Sequence, residues 1–190
     1  MPLDLKPGEP AAFLCAVLAR GADAVDEAVA ALAARFGEVR ARSPVWAFDM
    51  SGYYEAEMGP GLAKGLVWLG DPVDPERLAG RKRQSLAFER ERAVEGAGGD
   101  LRRTVNVDPG LLSEESLVLA TTKASGHRVA IATGLWAEVT LRFERGEYRP
   151  LPWTYPDYRQ PEVGEFLLEV RRRLRELRRA RDSSPTGGAP

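Results

Sequence analysis

Cysteine and histidine occur once each in this chain of 190 residues, as Cys15 and His127. A single cysteine makes no intrachain disulfide, and one cysteine with one histidine cannot assemble the usual zinc sets. Two-histidine phosphoester chemistry is excluded, and a Ser–His–Asp set would have to use His127. The phosphate-loop patterns GxxxxGKS/T and GxGxxG are missing, as are HExxH and GxSxG. Lysine is scarce: Lys6, Lys64, Lys82 and Lys123 leave arginine to carry nearly all the positive charge. Lys+Arg (27) and Asp+Glu (28) nearly cancel, which argues against a generally basic nucleic-acid binder. The apolar run over residues 11 to 19 is nine residues long. Spanning a membrane needs roughly 20. No basic segment leads into a long apolar stretch at the N-terminus, so we expect a cytoplasmic protein with no membrane segment.

What is present suits a globular domain, with 44% hydrophobic residues. Residues 11 to 19 predict a short buried strand between Pro10 and Gly21. A helix follows, with Asp23 placed to cap it, Asp26 and Glu27 in its first turn, and Gly37 to end it. Val25, Val29, Leu32 and Phe36 recur at helical spacing and predict its core face. VRARSPVWAF reads as a strand interrupted at Pro44, DMSGYYEAEMGPG as a polar aromatic loop, and LAKGLVWLG as a strand. DPERLAGRKRQSLAFERERAVE predicts a helix started by Pro75, and LRRTVNV a returning strand. This βαββαβ order predicts an α+β fold with a ferredoxin-like sandwich core. Beyond it, Ser113 is expected to cap a short helix carrying LVLA. HRVAIATGLWAEVTLRFERGEYRPL predicts an added C-terminal β-hairpin or three strands, turning at Gly134 and at Arg145 and Gly146. A terminal amphipathic helix over residues 162 to 181 places Val163, Phe166, Leu167, Val170, Leu174 and Leu177 on one stripe. Residues 1–181 are expected to form a single domain and 182–190 a disordered tail.

Five polar stretches carry the candidate chemistry. In FDMSGYYEAEMGPGLAKG, Asp49, Tyr54 and Glu57 precede two glycines and Lys64. Glycine lets backbone N–H groups approach an anion, and Lys64 adds charge; otherwise this is a surface loop whose tyrosines cover the core edge. In VNVDPG, Asn106 and Asp108 share a face if the strand extends that far, or Asp-Pro-Gly makes a turn. ATTKASGHR gathers Thr122, Lys123, His127 and Arg128 at an element boundary. Hydroxyls, two cations and an imidazole suit an oxyanion such as phosphate or carboxylate. The alternative is a polar turn with an inert histidine. In LWAEVTLRF, alternation places Trp136, Glu138, Thr140 and Arg142 on one face. Glu138 is there a solvated residue or, if that face lines a cleft, a Mg²⁺ ligand or general base. In PLPWTYPDYR, Tyr155 and Asp157 lie in a stiff aromatic segment that can stack on a base, seal a pocket or wrap the core.

Taken in order, DMSGYYEAEMGPGL, VNVDPG, LVLATTKASGHR, AEVTL and PWTYPDYR resemble the prokaryotic family DUF4416, a domain of unknown function. The resemblance covers residues 10 to 178. It implies that these stretches belong together and assigns no catalytic residue. Residues 81 to 86 depart from the family pattern, so Lys82 and Glu89 receive little weight.

The expectation is a protein that binds a phosphorylated or otherwise anionic small molecule, a nucleotide among the options, and acts as a metal-assisted enzyme if its carboxylates hold Mg²⁺. Asp108, His127 and Glu138 are the candidate catalytic residues. Asp49, Tyr54, Glu57, Lys64, Asn106, Thr122, Lys123, Arg128, Tyr155 and Asp157 are the candidate ligand contacts. The other class is a non-catalytic adaptor that binds RNA or a protein through its aromatic loops and the seven arginines between residues 171 and 181. An arginine run on a helix is otherwise a solvated face.

Overall fold

The computed structural model describes residues 4, 6–50, 52–96 and 98–183. The first half runs β1 (Ala12–Arg20), α1 (Gly21–Phe36), β2 (Val39–Arg42), β3 (Trp46–Ala47), a helical turn α2 (Glu55–Met58) and β4 (Leu62–Leu69). A short 3-10 turn over Pro75–Arg77 leads into α3 (Leu78–Glu91), followed by a small hairpin of β5 (Val94–Glu95) and β6 (Leu101–Arg102). Then come β7 (Val105–Leu112), β8 (Ser116–Thr121), β9 (Val129–Ala132), β10 (Leu135–Glu144) and β11 (Glu147–Pro150). A 3-10 turn over Pro156–Arg159 precedes the long helix α4 (Pro161–Ser183).

The fold is α+β, built on a large antiparallel sheet in the order β11-β10-β8-β7-β1-β4-β2, with β3 beside β4 and β9 beside β10. The central strand β1 is buried from Ala12 to Ala19. An apolar run without alternation is what a strand covered on both faces requires. Its odd-numbered residues Phe13, Cys15 and Val17 pack with Val25, Val29, Leu32 and Phe36 of α1 and with Leu78 and Phe88 of α3. Its even-numbered residues Leu14 and Ala16 pack with Leu66, Trp68, Leu117 and Leu141, under Val163, Phe166, Leu167 and Val170 of α4. Two helices therefore cover one face and a third covers the other.

Several expectations are corrected. Asp23 does not cap α1: the helix starts at Gly21, and Asp23 lies inside its first turn with no side-chain cap bond. LVLA is a strand, not a helix capped by Ser113; four apolar residues fit either state, and pairing with β7 and β10 decides for the strand. Asp108, Pro109 and Gly110 continue β7 and do not turn. Leu177 is 37% exposed, off the buried stripe of α4. Asp182 and Ser183 continue that helix, and the rest of the expected tail lies outside the described residues.

Strict alternation in β10 is also broken. The register with β8 shifts between Val139 and Leu141. Such a bulge inserts one residue and reverses which side the next side chains take. Glu138 thereby shares the α4 face with Leu141, and it is 3% exposed rather than solvated.

Candidate functional site

Along the α4 face, three strands change from apolar to polar toward the same end of the sheet. On β4 the sequence on that face is Trp68, Leu66, Lys64; on β7 it is Leu112, Gly110, Asp108, Asn106; on β8 it is Leu117, Leu119, Thr121. Here β7 and β8 also separate. They pair only at Gly110–Leu119, Leu111–Val118 and Leu112–Leu117, although β7 stays paired with β1 back to Val105. Pro109 has no N–H to give a ladder, and Gly110 lets β8 close in only on its far side. An open strand edge inside a protein must be satisfied by other groups. α3 supplies them: Glu89 accepts the Val107 N–H at 2.8 Å, and Lys82 Nζ donates to the Val107 carbonyl at 3.2 Å.

The fork opens a cavity of about 320 Å³. Four carboxylates (Glu89, Asp108, Glu138, Asp157) and five cations (Lys64, Lys82, Arg103, Lys123, Arg128) line it. Most are paired. Lys64 is bonded to Asp157, with both side chains almost fully buried. Lys82 reaches Asp108 at 3.3 Å, and Asn106 Nδ2 donates to the other Asp108 oxygen at 2.9 Å. Arg128 Nε lies 2.7 Å from Glu138, which also accepts from Thr140 Oγ1 at 3.1 Å. Arg103 forks onto Glu57 and donates to Asn106 Oδ1 at 3.0 Å. Pairs like Lys64–Asp157 are weak sources of stability, because stripping water from both charges offsets their attraction. Lys123 differs from the others. It makes no ion pair among the described residues and lies over the Tyr53 ring, 4.2 Å from its centroid.

The environments separate two neighbouring acids. Burial opposes the charge of Asp108, but Lys82, Lys64 and the Asn106 amide outweigh it and hold the carboxyl below the usual carboxylate range. Burial dominates at Glu89 and pushes its carboxyl up, against the Val107 N–H and the Lys82 charge. Burial likewise raises the phenols of Tyr54 and Tyr158, keeping both neutral. Tyr158 is 5% exposed, and its hydroxyl has no hydrogen-bond partner among the described residues.

Ten of the sequence candidates meet at this cavity: Tyr54, Lys64, Asn106, Asp108, Thr122, Lys123, Arg128, Glu138, Tyr155 and Asp157. Three do not line it. Asp49 is exposed. Glu57 stands behind Arg103. His127 stacks on Trp153, with ring centroids 5.0 Å apart, and its Nε2 meets Glu138 at 3.3 Å. Lys82 and Glu89, given little weight in the sequence, line the cavity, as do Arg103, which no motif singled out, and Tyr158 of the aromatic segment expected to stack on a base, seal a pocket or wrap the core. The signal available was a lysine in a chain with only four, and a proline inside a strand run. Among the described residues no three His, Cys, Asp or Glu side chains gather into a set that could hold a metal ion. None of the helices is long and apolar enough to cross a membrane, over the described residues.

The arginines of α4 point elsewhere. Arg171, Arg175 and Arg178 converge on Glu114. Arg173 donates to the Arg40 carbonyl at 2.6 Å, and Arg181 pairs with Glu9 at 3.2 Å.

The family model for DUF4416, a domain of unknown function, matches residues 9–174. The chain belongs to the DUF4416 family. That match takes in every strand of the large sheet, the fork, the loops over the cavity and α4 to Leu174. No curated protein and no solved structure matches this DUF4416 chain.

Proposed function

We propose that this DUF4416 protein binds a phosphorylated or otherwise anionic small molecule, nucleotides included, in the cavity at the fork of its sheet. Lys123 carries the reading. It is the cavity cation that no carboxylate of the described residues neutralises, and it sits at the exposed rim beside Thr122. The cavity volume lies at the lower end of the range for small-molecule sites, roughly 300–1,000 Å³. For a ligand that is turned over, Asp108 is the best-placed base, being ionised and 32% exposed at its side chain. A divalent ion would arrive with the ligand, since the carboxylates here face lysines, arginines and backbone instead of one another. The framework of this reading is a ferredoxin-like core of β1, α1, β2, β4, α3 and β7; the order β7-β1-β4-β2 and the placement of α1 and α3 on one face support it. The adaptor reading has less support, because Glu114, Glu169 and Glu9 already engage most of the arginines it needs.

A ligand that binds only the native state raises stability by about 2.7 kcal/mol at 100 times its Kd. The test is thermal denaturation with inorganic phosphate, sugar phosphates and nucleotides, each with and without Mg²⁺. At least one anion raises the wild-type midpoint. Lys123→Ala keeps its unliganded midpoint and loses most of that rise. A rise unchanged in Lys123→Ala contradicts the assignment.

A further inference from the structure

The cavity holds more aromatic surface than an anion alone requires. Phe48, Tyr54 and Tyr53 form an edge-to-face row, with centroid spacings of 6.2 and 5.1 Å and interplanar angles of 70° and 89°. A cation stands over each ring: Lys64 at 5.5 Å from Phe48, Arg103 at 5.7 Å from Tyr54 and Lys123 at 4.2 Å from Tyr53. Lys64 also lies 4.8 Å from the Tyr158 ring. A phosphate or carboxylate group has no apolar surface to set against such a wall, whereas a flat ring does.

A second observation is independent of the row. The Tyr158 hydroxyl is buried, belongs to a residue lining the cavity, and meets no acceptor among the described residues. A buried donor left unmade is costly. Exposure orders the site: Lys123 and Tyr53 form its open rim and Tyr158 its floor.

We infer that the ligand is a planar aromatic or heteroaromatic anion. Its charged group meets Lys123 at the rim, its ring lies against the row of Phe48, Tyr54 and Tyr53, and an acceptor on its far edge takes the Tyr158 hydroxyl proton in a hydrogen bond. This narrows the anion reading above and rests on it.

The test uses three probes by calorimetric titration of the full chain: methyl phosphate, phenyl phosphate and 4-acetylphenyl phosphate, whose acetyl oxygen is the far acceptor. Phenyl phosphate is expected to bind about tenfold tighter than methyl phosphate, the order of one well-packed ring contact. The acetyl derivative binds tighter again, and Tyr158→Phe removes that second increment. Equal affinities for methyl and phenyl phosphate overturn the ring inference and leave the anion reading standing. Binding by none of the three overturns both. A second increment that survives in Tyr158→Phe overturns the role of the hydroxyl.

Discussion

Tyr158 holds a buried hydroxyl that none of the protein's own described groups uses. Phenylalanine keeps the ring and removes the unmet polar group, so Tyr158→Phe is expected to melt at or above the wild-type temperature. A fall of more than about 4 °C, ~1 kcal/mol or more at this length, would contradict the view that the hydroxyl is held for a ligand. Glu89 and Asp108 make a pH prediction of opposite signs. Glu89 has a folded-state pKa above its unfolded value. Its contribution is most favourable below the ordinary carboxylate range and is lost as pH rises through the raised value. Asp108 is depressed, so its contribution is present above that range and is lost on acidification. In urea denaturation over a pH series, Glu89→Gln should gain on wild type as pH rises from acid toward neutral. Asp108→Asn should lose ground over the same interval. Parallel trends in the two variants would refute this division of charge.

At the scale of elements, the fork between β7 and β8 is the feature that makes a site out of a sheet. Gly110 is its hinge point. A Cβ there would lie 2.6 Å from Leu119 Cδ2 and 2.8 Å from the Val118 carbonyl. Gly110→Ala should therefore destabilise by about 1–3 kcal/mol, the usual cost of overpacking, read as a lower urea midpoint with unchanged slope. A midpoint equal to wild type would mean that β8 does not need its close approach. Much of this architecture was legible in the chain. Continuous apolar residues marked β1, helical spacing marked α1 and the stripe of α4, and glycines marked the turns at Gly134 and Gly146. β8 was not legible, because LVLA is too short for periodicity to separate strand from helix. The bulge in β10 and the fork were hidden for a different reason. Both are set by pairing between distant segments, which local pattern does not encode. Alternation consequently left Glu138 open between a solvated residue and a cleft carboxylate although it is buried, and Asp-Pro-Gly read equally well as a turn.

Over the whole molecule, charge balance near zero conceals a strong division of labour. The arginine-rich α4 ties Glu114, Glu9 and the Arg40 carbonyl to the body of the protein. Three of the four lysines line the cavity at the other end of the same sheet face. Lysine content as a whole said little, and lysine position said a great deal. Five stretches separated by up to about a hundred residues in sequence meet at one place, which is the global reason to read them as one site. The most direct test is a titration of isotope-labelled protein with phenyl phosphate, followed by amide chemical shifts. Saturable shifts are expected at Asn106, Asp108, Thr122, Lys123 and Arg128, with α4 unmoved. Shifts confined to the arginines of α4, or no saturable shift anywhere, would contradict the site assignment.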